Sequence, residues 1–110
     1  VNIMATDYVK LNEKNEYGMI AINKSVFESI VEISMKDIED VKVSVNPFAH
    51  PIQIKIDENK LNITADVKVK YGVNVNATCE KVQNRIYENV AFMTGFKPNE
   101  VTVNVTGFEI

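Results

Sequence analysis

The chain has one cysteine, one histidine and no tryptophan, and these shortages remove much of the chemistry that a small protein can perform. Cys79 has no second thiol to join, so no internal disulfide holds the fold. Its place on an apolar helical stripe reads as a small core residue rather than a reactive thiol. His50 lies in Asn46-Pro-Phe-Ala-His-Pro51, without a second histidine or cysteine at metal-ligand spacing, and nothing places it beside a nucleophile. The four glycines are widely separated, which excludes a glycine-rich phosphate cradle. No apolar run approaches the ~18 residues of a membrane span, and the N-terminus lacks the basic-then-apolar pattern of a signal peptide. The chain therefore reads as cytosolic, with no direct membrane insertion. A large excess of one charge is missing too. Twelve Lys and Arg against fifteen Asp and Glu leave a net charge of −3, which offers no global attraction for nucleic acid or an anionic membrane.

What is present is clear patterning. With 110 residues, 45% of them hydrophobic, the chain suffices for one core that buries roughly 60–70% of the unfolded surface. Val1 to Tyr17 is polar and without period, so residues 1–17 read as a loosely held arm and residues 18–110 as a single domain. Gly18 to Ile22 reads as a short strand. Ser25-Val-Phe-Glu28 supplies a capping box, and the helix it opens has Phe27, Ile30, Val31, Ser34 and Ile38 on one side, with Glu28, Glu32 and Lys36 opposite. Three alternating strands follow, at Val41/Val43/Val45, Ile52/Ile54/Ile56 and Leu61 to Tyr71. The last two form a hairpin through Asp57-Glu58-Asn59-Lys60, where Asn59 suits a left-handed turn position. Asn76 is the expected cap of a second helix, with Cys79, Val82, Ile86, Val90 and Met93 as its apolar stripe. Gly95 and Pro98 end that helix, and Val101/Val103/Val105 form the last strand.

The order is β-α-β-β-β-α-β. Helices with one apolar side and strands that alternate predict an α+β two-layer sandwich, with both helices on one face of a mainly antiparallel sheet. The other face is open and carries Lys42, Lys55, Lys68 and Lys70 against Asp66, a candidate surface for weak anion binding. It lacks aromatic residues on which bases stack, so no specific nucleic-acid binding is expected. The carboxylates Asp37/Glu39/Asp40 and Asp57/Glu58 fall at a helix exit and a turn, where a solvated surface is their ordinary role. No catalytic, metal or cofactor site is expected. Phe92 is the misplaced residue. At 100° per residue it points with Lys81, Arg85 and Glu88 toward the polar side of the second helix. Either it anchors an interaction, or it folds back on the stems of Lys81 and Arg85 or on Phe96 or Phe108.

Several short runs carry a family likeness: Tyr71-Gly-Val73, Val82-Gln83, Met93-Thr-Gly95, Val101-Thr-Val-Asn-Val-Thr-Gly107, and, further back, Gly18-Met-Ile-Ala-Ile-Asn-Lys-Ser25. In order and spacing they resemble the alkaline-shock-protein family of Gram-positive bacteria, also called the cell-envelope stress-response family. The resemblance implies a cytosolic, non-catalytic interaction protein that self-associates into homo-oligomers or docks to a membrane-anchored protein partner. It also implies a link to envelope stress or to the regulation of fatty-acid supply. The chain departs from the family pattern at Ile38-Glu39-Asp40-Val41, where relatives turn through a glycine-containing segment, and around Phe48, His50 and Pro51. The alternative reading is an open-sheet binder of an anionic ligand or single-stranded nucleic acid.

Overall fold

The structure is a computed structural model that describes residues 22–44 and 50–110. The expected N-terminal arm, the expected strand before Ile22, Val45 and the loop residue Phe48 lie outside these residues. Within them six elements follow in order: α1 (Lys24–Lys36), β1 (Val41–Val43), β2 (Ile52–Asp57), β3 (Lys60–Lys70), α2 (Val75–Thr94) and β4 (Glu100–Glu109). From the first helix onward this is the α-β-β-β-α-β order that the hydrophobic periods predict.

The long strand β3 organises the sheet. Both β1 and β2 pair with it antiparallel, β2 against Lys60 to Ala65 and β1 against Val67 to Val69. They share one edge of β3. The Ser44 amide donates to the Asp66 carbonyl (3.0 Å), and the Asp66 amide donates to the Pro51 carbonyl (2.7 Å). The segment between Ser44 and Pro51 thus begins and ends on the two backbone groups of a single residue. The opposite edge of β3 receives β4, in parallel. That direction follows from the connection, because a helix that runs back along the sheet returns the chain to the end from which β3 started.

Each boundary has a local cause. Asn23, not Ser25, caps α1, its side-chain oxygen accepting from the Ser25 amide at 3.0 Å. Asn74, not Asn76, caps α2 by accepting from the Ala77 amide at 3.0 Å. In both cases the earlier of two good capping side chains already meets an otherwise unpaired first-turn amide, so the helix starts there. Gly95 ends α2 in the left-handed region (φ 80°) and donates its amide to the Ala91 carbonyl. The β2–β3 connection is a two-residue turn in which both Glu58 (φ 49°) and Asn59 (φ 63°) are left-handed, the arrangement that matches the twist of a hairpin.

The core lies between the helices and one sheet face. Leu61, Ile63, Ala65, Val67 and Val69 of β3, flanked by Val41, Ile52 and Ile54, meet Phe27, Ile30, Val31 and Met35 of α1 and Val82, Ile86 and Val90 of α2. Two residues of the expected α2 stripe are displaced. Cys79 is only half-buried and Met93 is 54% exposed, while Thr78 is buried. The buried row is Thr78, Val82, Ile86 and Val90. Such an i+4 row is inclined to the helix axis, so Cys79 and Met93 fall at the margins of the contact with the sheet.

The alternation of β4 also breaks. Val67 pairs with Val105, but Lys68 pairs with Gly107, leaving Thr106 as the extra residue of a bulge. Beyond it Phe108 pairs with Val69 and Glu109 with Lys70, so Phe108 shares the helix-side face and Glu109 the open face.

Glu58 occupies a backbone conformation that disfavours a side chain bearing Cβ. The double change Glu58→Asn with Asn59→Gly is therefore expected to stabilise the fold by about 1 kcal/mol. Chemical denaturation is the check, and an unchanged or lower midpoint contradicts this account of the turn.

Candidate functional site

Between the helices a short polar chain replaces apolar contact. Ser34 is fully buried, donates its hydroxyl to the Ile30 carbonyl (2.7 Å) and accepts from the Asn89 side-chain amide (2.8 Å). One turn along, Arg85 lies 3.7 Å from Asp37. Moving up α1 from Ser34 to Asp37 thus moves down α2 from Asn89 to Arg85, so the two helices run antiparallel as neighbours. The ion pair is largely exposed and contributes little to stability. Its value here is positional, because it marks the flank on which the two helices meet.

On the outer side of that flank, Lys81, Arg85, Glu88 and Phe92 follow one another at four-, three- and four-residue steps along α2, which aligns them in one stripe. Phe92 is 89% exposed, so its ring does not fold back on the stems of Lys81 and Arg85. Phe96 is buried in the core, and Phe108 packs edge-on against Tyr71 at 6.4 Å. One turn beyond Asn89, Phe92 is level with α1 near Ile30. Val26 and Ile33 are half-exposed on α1 and stand seven residues apart on the same flank as Asp37. The helix layer therefore presents a phenylalanine and two aliphatic side chains within a rim of both charge signs.

The open sheet face is more balanced than alternation alone predicts. Lys42, Lys55, Lys68 and Lys70 do project there, joined by Lys60, but register places Asp57, Asp66, Glu100 and Glu109 on the same side. The bulge is responsible for Glu109, which lies 3.4 Å from Lys42. Asp66 is engaged by the Asn104 side-chain amide at 3.1 Å. On the described strands, these five lysines and four carboxylates replace the expected four against one, and no aromatic side chain joins them on this face. Single-stranded oligonucleotides are therefore expected to bind weakly at physiological salt, without sequence preference. Fluorescence titration checks this, and sub-micromolar, sequence-selective binding overturns it.

The other candidate groups stay apart. His50 is exposed. Among the described residues no group of three His, Cys, Asp or Glu side chains is placed to hold a metal ion. Partial burial raises the Cys79 thiol above its ordinary pKa, so it is protonated and a poor nucleophile at neutral pH. Iodoacetamide is expected to alkylate Cys79 in the folded protein more slowly than a free cysteine, as mass spectrometry will show, and faster labelling contradicts the assignment.

Three of the runs of sequence singled out above, all among the described residues, sit at structural junctions. The Tyr71 amide donates to the Glu109 carbonyl (2.7 Å), and Gly72 turns the chain out of β3 at φ 94°. Gln83 donates from its side chain to the Val101 carbonyl (3.1 Å), tying α2 to β4. Thr94 donates its hydroxyl to the Val90 carbonyl (2.7 Å) and accepts from the Phe96 amide (3.1 Å). Over residues 12–110 the chain matches the model of the alkaline shock protein family, described as having a cell envelope-related function. The match begins inside the segment read as an arm. No curated protein and no solved structure gives a match. With nearly its whole length matched and those junctions in place, the chain belongs to the alkaline shock protein family, whose function is cell envelope-related.

Proposed function

We propose that this chain is a non-catalytic docking protein of the cell envelope, acting from the cytosol through self-association or through a membrane-anchored protein partner. The observation that carries the reading is Phe92, a large aromatic 89% exposed at the C-terminal end of an otherwise charged helical stripe. Core packing does not place it there, since Val82, Ile86 and Val90 fill the inner side of the same helix. Exposed aromatics beside aliphatic neighbours and charged rims are common at protein interfaces. Among the described residues no helix is long and apolar enough to cross a membrane, so attachment to the envelope in this reading is through another protein. The reading includes no metal or cofactor, and a role in envelope stress or in fatty-acid supply fits it equally.

Burial of the Phe92 ring against a partner contributes about 1.5–3 kcal/mol to association. Phe92→Ser is therefore expected to weaken partner capture or oligomerisation while changing thermal stability little, because the ring has few contacts to lose in the monomer. Pull-down from the native cell, sedimentation and thermal unfolding are the measurements. Unaltered association, or a loss of several kcal/mol in folding stability, removes Phe92 as the anchor. Sub-micromolar binding of an oligonucleotide to the sheet face would instead favour the anionic-ligand alternative.

A further inference from the structure

Lys81, Arg85, Glu88 and Phe92 are spaced 4, 3 and 4 residues apart, a pattern that reads the same from either end. When two such helices lie antiparallel with their midpoints between residues 86 and 87, Arg85 of each stands opposite Glu88 of the other, and Phe92 opposite Lys81. Both pairings are favourable. The first joins opposite charges, and the second lays an ammonium and its alkyl stem over an aromatic face. Two-fold symmetry makes each occur twice. A parallel arrangement in the same register sets Arg85 against Arg85 and Glu88 against Glu88, which repel.

We propose that the outer stripe of α2 pairs antiparallel with the same stripe of a second copy of this chain, about a two-fold axis near residues 86 and 87. This deepens the docking reading and rests on it, since it names the occupant of the Phe92 surface. The mixed signs of the stripe disfavour an anionic membrane surface as occupant. Arg85 takes part without leaving Asp37, because a guanidinium has five N–H donors and the present contact is a single 3.7 Å approach. Val26 and Ile33, half-exposed on the neighbouring helix, extend the apolar part of the contact on both copies. A 20-residue helix is about 30 Å long, and two neighbouring helices offer less than the ~800 Å² per partner of a standard interface. The pair is therefore a reversible dimer whose population rises with concentration.

Sedimentation velocity on the full chain across a concentration series tests this, with circular dichroism to confirm that each variant is folded. The native chain is expected to pass from monomer to dimer. Glu88→Arg sets arginine against arginine and is expected to weaken the dimer at least about tenfold, and Arg85→Glu to act similarly. An equimolar mixture of the two single variants, and the double variant Arg85→Glu/Glu88→Arg alone, restore opposite charges across the axis and are expected to recover the dimer. Arg85→Glu also loses the contact with Asp37, and recovery in the mixture separates the two effects. A native chain that stays monomeric throughout its soluble range, or single variants that the mixture does not rescue, overturns the proposal. If the native chain is monomeric and yet captures a membrane protein that the Phe92→Ser variant releases, only the second-copy occupant is wrong. Absence of both dimer and capture defeats the docking reading as well.

Discussion

Every other element of this fold is positioned by the double-sided pairing of β3. Among the described strands it alone has neighbours on both edges, antiparallel β2 and β1 along one and parallel β4 along the other. Its inward side chains, from Leu61 to Val69, are essentially without solvent contact. A strand so enclosed leaves each attached segment little choice. The hairpin turn must reverse within two residues, α2 must return the chain for a parallel pairing, and α1 must cover the remaining apolar surface beside β1 and β2. Displacing β3 by one residue turns Leu61, Ile63, Ala65, Val67 and Val69 to solvent and their charged and polar neighbours toward the helices. That penalty fixes register throughout the sheet.

Polar groups inside the helix layer contribute position more than stability. The Ser34 hydroxyl serves as both donor and acceptor within the protein, which offsets its burial without much surplus. In return the Asn89–Ser34 contact sets the relative level of the two helices, and from that level follows the grouping of Val26, Ile33 and Phe92. The surface is thus a product of the packing beneath it. Because the junctions at Tyr71-Gly72, Gln83 and Thr94-Gly95 all serve inward tasks, they specify the fold and leave the outer stripe of α2 unconstrained.

Much of this was legible in the residues. Strict period-two alternation in Leu61 to Val69 marked a strand, though not its central place, and Phe27, Ile30, Val31 and Ser34 marked the inner face of α1. Gly95 was readable as a stop because few other residues accept its left-handed backbone. The less legible features depend on competition or on tertiary geometry. Two capping residues stand near the start of each helix, and propensity alone does not rank Asn23 above Ser25 or Asn74 above Asn76. The tilt of α2 over the sheet decides whether Thr78 or Cys79 is buried, and no local pattern encodes it. The bulge did leave a trace. In Val105-Thr-Gly-Phe108 the apolar positions fall three apart, which interrupts a two-residue period, and reading it would have moved Glu109 to the lysine face. The exposure of Phe92 follows from the helical wheel, whereas its place on the flank that also carries Val26 and Ile33 required knowing how the helices meet.

The two hydrogen bonds at Asp66 make one residue the gatepost for both ends of the segment between Ser44 and Pro51. In terms of tolerance to change, this fixes where the chain leaves and rejoins the ladder: the length between those two points can vary while the pairing on either side keeps its register. Closure entropy rises only slowly with loop length, about 0.6 kcal/mol per doubling. The site is accordingly a natural port for inserting a peptide tag or a binding loop at the edge of the sheet, on the side of β3 away from β4.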